Sequence, residues 1–307
     1  MISIYQKTLT SRKLKVVEDF KVGAWVHVED PTDAELDLLS EKLSLDKGLL
    51  LDATDPYEVP RVEVDGGVTY MFTRVPYEDN GKVLTAPVLL GITKERVFTV
   101  TKYKLNIFEQ FIEGRKEFHT TQKVRFLLTL LAEIDAAFAK HITMINKDVR
   151  RLSSNLDSTI SNQDIVSFVN FEAILNDLLD ALVPTNSVLS KVLSGKILTL
   201  YENDKDYVED VYLENGQLIE LCRSNLRSIV NIRSAYSTIM SNDLNRVIKL
   251  LTGLTIVFTI PTIISSIYGM NIPLPFQESE HSFLIVVIMT ALMTTLVLWF
   301  FNKKSLL

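Results

Sequence analysis

The sequence predicts an α+β chain: a mixed sheet with packed helices first, long helices after it, and a two-helix membrane hairpin last. Three observations predict this. Strand-type runs fall within residues 1–104, apolar residues at helical spacing take over from about residue 105, and two uncharged stretches of 19 residues each lie near the C-terminal end. Period-2 runs favour strands, 3.6-residue periodicity favours helices, and roughly 17–25 apolar residues cross a bilayer.

In the first hundred residues, Ala24–Val28 reads as a strand. Thr32 followed by Glu35 reads as a capping box, with Leu36, Leu38, Leu39 and Leu43 forming the apolar face of the helix behind it. Arg61–Val64 and Val68–Val75 flank Asp65-Gly66-Gly67, a hairpin signal, and Val83–Ile92 and Arg96–Thr101 read as a second hairpin. No Gly-rich phosphate loop, G-x-S-x-G or H-E-x-x-H occurs, so the segment has no catalytic motif.

The next segments are helical. Thr121–Leu156 carries Phe126, Leu130, Ile134, Ala137, Ile142, Ile145, Val149 and Leu152 at helical spacing. A Ser- and Asn-rich break at Ser153–Asn162 precedes a second helix over Gln163–Leu200, which Pro184 is expected to kink or interrupt. A third begins near Asp206 and meets no strong breaker before Gly253 and Pro261. That is about 60 residues, or roughly 90 Å of helix, a stalk rather than part of one compact domain. Leu218, Cys222, Ile229, Tyr236, Leu244 and Leu251 share a face, for packing either against other stalks or within the same subunit.

Composition narrows the function. The 307 residues carry 32 Lys and Arg against 38 Asp and Glu, a net charge of -6, and no basic cluster with interleaved aromatics; a nucleic-acid partner is not expected. One cysteine, Cys222, rules out a disulfide within the subunit, and the four histidines lack zinc-site spacing. The first twenty residues have no signal-peptide core, which places the head on the side where it is made.

Leu250–Tyr268 and Phe283–Phe301 are the two uncharged stretches. Arg246 and Lys249 precede the first and Lys303 and Lys304 follow the second, whereas Gly269–Ser282 between them holds Glu278 and Glu280 and no Lys or Arg. The positive-inside rule then puts both termini in the cytoplasm and the loop outside. Tyr268 and Trp299 stand where interfacial anchors stand.

The first span is chemically two-faced. Asn245, Thr252, Thr255, Thr259, Thr262 and Ser266 are separated by 7, 3, 4, 3 and 4 residues, which puts them on one helix face. Such a stripe lines water, or each hydroxyl bonds its own i−4 carbonyl or a neighbouring helix. One helix cannot enclose a pore, so pore lining requires a ring of copies. Ile248 and Leu251, near the same face at the cytoplasmic end, would then form an apolar constriction. Glu278 and Glu280 either attract cations to the mouth or are ordinary solvated surface.

The first span ends in Tyr268-Gly269-Met270-Asn271, and a short loop, a second span and a Lys pair follow. This arrangement resembles the Gly-Met-Asn signature of the CorA magnesium/cobalt transporter family. Ser241–Leu251 resembles the family's junction of stalk and pore, Asp210-Val211-Tyr212 the start of its stalk helix, and Trp25–Glu35 and Pro60–Glu63 its looser N-terminal motifs.

The resemblance implies a funnel-shaped homopentamer in the cell membrane, whose cytoplasmic heads are α/β/α sandwiches. In this numbering its parts are residues 1–205 for the head, 206–249 for the stalk, 250–268 for the pore helix, 269–282 for the outer loop, 283–301 for the outer helix and 302–307 for a basic tail. Gly269, Met270 and Asn271 form the filter, with Asn271 meeting the incoming ion, and Asn245, Leu251, Thr255, Thr259, Thr262 and Ser266 fall on pore-facing positions. The implied cargo is Mg²⁺, with Co²⁺ and Ni²⁺, and the implied regulator is cytoplasmic Mg²⁺ at Asp210. There are two departures. Thr259 stands where many members carry a bulky gate Met, and Ser234 where a second regulatory acid is found.

The resemblance leaves a zinc or other transition-metal transporter of the same superfamily open. A membrane-anchored sensor without transport is the remaining reading. Neutral oxygen ligands and the lack of Cys and His near the pore favour a hard ion. An anchor has no need of aligned hydroxyls.

Overall fold

The computed structural model describes residues 1–11, 13–154, 162–276 and 280–303. These form two compact units, Met1–Asn231 and Ile232–Leu307.

The first unit is a three-layer sandwich around a seven-stranded sheet of order β2-β1-β3-β7-β6-β5-β4. The strands are β1 (Ile2–Gln6), β2 (Lys15–Val16), β3 (Trp25–Glu29), β4 (Arg61–Asp65), β5 (Val68–Asp79), β6 (Lys82–Ile92) and β7 (Val97–Thr101). β3 and β7 run parallel and every other pair antiparallel, so the sheet is mixed, as expected. Alternation along the strands divides the core. Val26, Val28, Tyr70, Phe72, Phe98 and Val100 pack with α1 (Asp33–Leu43) and α2 (Lys47–Asp52). On the other face α3 (Asn106–Ile112), α4 (Lys123–Ser154) and α5 (Asn162–Leu193) cover the sheet. There Trp25 packs tilted against Phe108 and edge-on against Phe126, and its Nε1 donates to Thr99 Oγ1 at 3.0 Å. Burial lowers the pKa of His27, beside Thr99, to about 4, so this face carries a neutral imidazole.

The capping box forms. Thr32 N donates to Glu35 Oε2 at 2.9 Å, and Thr32 Oγ1 accepts from Glu35 N at 3.3 Å. Substituting Thr32→Ala is expected to lower stability by about 1 kcal/mol. A denaturant titration followed by Trp25 fluorescence reads the loss; an unmoved midpoint would show that the cap contributes nothing.

The expected Arg61 hairpin turns at Gly66-Gly67, whose φ values of 56° and 81° suit a tight primed turn. The sequence reading missed the longest pairing, β5 with β6. It turns at Asn80-Gly81, again with positive φ, and carries the ladder across Pro76 and Pro87.

The helices run longer than their breakers suggest. α5 continues through Pro184, and α6 (Glu202–Tyr268) spans 67 residues through Gly253 and Pro261. Leu218, Cys222 and Ile229 are buried within the single chain, so that part of the apolar face packs inside its own subunit and not between stalks. Asn186 Nδ2 on α5 donates to Tyr212 O at 3.2 Å, one of the ties holding the start of α6 to the sandwich. The boundary between the two compact units falls inside α6, at residues 231/232. Burial also pushes the Cys222 thiol up to about 12.

The second unit holds the rest of α6 and then α7 (Ser282–Lys303). Both helices are long and apolar enough to cross a membrane.

Candidate ion pathway

The pathway residues begin as positions on one helix. At about 100° per residue, Asn245, Ile248, Leu251, Thr252, Thr255, Thr259, Thr262 and Ser266 fall within an arc of about 120° on α6. All eight are exposed in the single chain, Leu251 by 64% and Ile248 by 52%. Gly253 and Ile264, the buried residues of this span, lie about 160–180° from Thr255. Gly253 and Ile264 thus face the helix's own unit, while the oxygen-bearing arc is uncovered, as are Leu254, Phe258 and Ile267 outside it.

The hydroxyls are oriented by the backbone. Thr252, Thr255, Thr259 and Thr262 donate to the carbonyls of Ile248, Leu251, Thr255 and Phe258 at 2.8, 2.9, 2.7 and 2.7 Å. This is the i−4 bonding weighed against pore lining, but it does not exclude it. Each hydroxyl proton is spent on the helix, so what Oγ1 offers outward is acceptor capacity. Water bound to a cation points its protons away from the ion and needs acceptors. The same back-bonding occurs at Thr290, Thr294 and Thr295 on α7, so the arc, not the bond, distinguishes α6.

The signature residues follow the last turn. Gly269 N donates to Ser265 O at 2.9 Å and Met270 N to Ile267 O at 3.1 Å, so the helical bonding frays out over the Gly-Met pair. A Cβ on Gly269 would lie 3.3 Å from Ser265 O, tighter than an ordinary contact. Tyr268 Oη donates to Pro275 O at 3.3 Å and latches the helix end to the loop. The sequence reading missed this latch, although two prolines in Ile272-Pro273-Leu274-Pro275 mark a stiff loop. Met270, Asn271 and Glu280 are exposed; Glu278 lies outside the described residues.

Asp210 sits on an exposed face of α6, more than thirty residues before the arc. Of its acidic neighbours, Asp204 is 3.6 Å from Arg125 Nη1. Among the described residues no group of three His, Cys, Asp or Glu side chains converges on a metal position.

A mixed-sheet unit is joined by a continuous helix to a pair of membrane-length helices, one of them polar along a single face, the architecture of a membrane-spanning protein. The family model described as CorA-like Mg²⁺ transporter protein matches residues 20–304, and the chain belongs to that family. The family is one of divalent-cation transporters. Among relatives, it is 22% identical over 295 residues to the cobalt/magnesium transport protein CorA of Methanocaldococcus jannaschii, covering 94% of this chain and 92% of that one. It is 25% identical over 294 residues to the magnesium transport protein CorA of Helicobacter pylori, covering 92% and 90%. The solved structure of the complete CorA magnesium transporter from M. jannaschii superposes with a TM-score of 0.86 at 19% identity, covering 99% of this chain and 98% of that chain.

Proposed function

We propose that this chain forms a homopentameric Mg²⁺ channel, also passing Co²⁺ and Ni²⁺, with both termini cytoplasmic and α6 lining the pore. The observation that carries the reading is the uncovered arc of about 100° of oxygen-bearing side chains leading to Gly269-Met270-Asn271. The relatives named as cobalt and magnesium transport proteins support the choice of ion.

Mg²⁺ gives up its waters reluctantly. A collar of Asn271 amides accepts hydrogen bonds from those waters without stripping them, and neutral sites release the ion again. The back-bonded threonines continue the same acceptor lining inward. Ile248 and Leu251 form the apolar constriction at the cytoplasmic end, with Thr259 leaving it short. Membrane potential drives entry with about 4.6 kcal/mol per Mg²⁺ at 100 mV. Glu280 and Glu278 raise the cation concentration at the mouth. Asp210, completed by ligands from a neighbouring subunit and water, is the candidate sensor: bound Mg²⁺ bridges subunits and favours the closed state.

The test is flux into liposomes carrying the purified protein, with Mg²⁺, Co²⁺, Ni²⁺ and Zn²⁺ offered separately and Mg²⁺ present or absent on the head side. Mg²⁺ entry that falls when head-side Mg²⁺ rises is the expected result. Zn²⁺ entry without Mg²⁺ entry would identify a transition-metal transporter, and no flux of any ion would identify a membrane-anchored sensor.

A further inference from the structure

The soluble unit contains a buried polar pair that transport does not use. Asp135 on α4 is 1% exposed and Asn215 on α6 is fully buried, and the two stand 80 residues apart in the chain. Asn215 Nδ2 donates to Asp135 Oδ1 at 3.0 Å. The other oxygen of each group, Asp135 Oδ2 and Asn215 Oδ1, is buried with no hydrogen-bond partner among the described residues. Two bare acceptors on one bonded pair are costly, because each loses water and gains nothing. One added proton removes both defects, since a carboxylic acid and a primary amide are complementary on both edges.

We propose that Asp135 and Asn215 form a proton-operated clamp between α4 and α6, in which the protonated acid donates from Oδ2 to Asn215 Oδ1 and joins the helices twice. Deprotonation breaks that second bond and leaves an ionised carboxylate in an apolar seam, so α6 is held less firmly against α4. No cation of metal size has the ligands to take the proton's place, since no third acidic or imidazole group converges here among the described residues.

The surroundings favour the proton. Burial, the largest cause, and the nearby Glu214 raise the Asp135 carboxyl against the Asn215 hydrogen bond, from 3.8 to about 7. α4 packs against β5, β6, α3 and α5. The charged groups on these elements and on α6 include Arg74 and Glu78 on β5, Lys82 on β6, Glu109 on α3, Asp177 and Asp180 on α5, and Glu214; only Glu214 acts on Asp135. The sign follows from a folded-state value above the unfolded one. Stabilisation by the clamp is complete below about pH 4, declines as pH rises toward about 7, and is gone above it.

The clamp stands independently of any ion the pore carries. Its test is hydrogen–deuterium exchange on the full-length protein in detergent between pH 5 and 8, corrected for the intrinsic exchange rate. In the wild type, protection of α6 amides between residues 205 and 231 is expected to fall as pH rises, by at most about tenfold per pH unit. Amides of β5 and β6 should hold constant as an internal reference. Asp135→Asn, an amide that donates and accepts at every pH, should make α6 protection independent of pH. Equal pH dependence in wild type and variant would overturn the clamp. If Asp135→Asn does not fold, wild-type α6 protection that stays flat from pH 5 to 8 overturns it alone.

Discussion

Asn271→Ala is expected to reduce Mg²⁺ flux into liposomes by roughly a hundredfold while leaving the protein assembled. A hydrogen bond contributes about 1 kcal/mol net, and the collar of five subunits in the proposed pentamer multiplies each loss; about 1.4 kcal/mol corresponds to tenfold in rate. If half of the five amides hold the ion at a time, removing them costs about 2.5 kcal/mol, or close to two decades. Ala keeps the backbone turn after Gly269, and Asn271 is exposed in the single chain, so folding should survive. A Mg²⁺-sensitive dye inside the liposomes reports the flux, and the elution volume of the detergent-solubilised variant reports assembly. Wild-type flux through an intact Asn271→Ala assembly would remove the amide collar from the mechanism. The Thr255→Ala change makes a useful contrast. Its hydroxyl already bonds Leu251 O, so only acceptor lining is lost and the effect should be much smaller.

Gly91→Ala is expected to destabilise the sheet unit by about 3 kcal/mol, the upper part of the usual range for overpacking a core. Gly91 on β6 pairs directly with Phe98 on β7, and the Phe98 ring lies across it. A Cβ at Gly91 would come within 1.9 Å of Phe98 Cζ, with two more ring carbons at 2.2 and 2.3 Å. Phe98 is fully buried against Tyr70, at 5.9 Å between ring centroids, so its ring has no space to retreat. Chemical unfolding of the variant measures the loss. The double variant Gly91→Ala with Phe98→Ala should be more stable than the sum of the two single losses, because removing the ring removes the clash. Strict additivity would mean that Gly91→Ala acts through something other than the ring.

Local features of the fold were legible where a short motif determines them. Thr32 and Glu35 form the expected cap, Gly66-Gly67 the expected turn, and the two uncharged stretches the two membrane-length helices. Long-range features were not. β1 and β2 owe their existence to pairing partners, and Pro76 made β5 look finished at Val75 although Asn80-Gly81 announced the hairpin beyond it. Proline stops a pattern reader more readily than it stops a chain, as Pro184 and Pro261 inside helices also show. For Leu218, Cys222 and Ile229, periodicity revealed an apolar face but not what covers it. The pathway arc was readable because its 3- and 4-residue steps are local; the use of each Thr proton on the backbone was not. Asp135 and Asn215 leave no local trace, since nothing in either neighbourhood announces a partner 80 residues away.

Cys222, the single cysteine, is fully buried, with its thiol pushed up to about 12. For maleimide chemistry at neutral pH the chain is therefore already blank, with no native reactive group to engineer away. A cysteine introduced at Glu280 or at Lys303 would be the one reactive handle on its molecule. An impermeant reagent applied to sealed, oriented vesicles would then report which side of the bilayer each end of the hairpin faces. The same handle at Thr255, challenged with reagents of graded diameter, would measure the bore of the proposed ring.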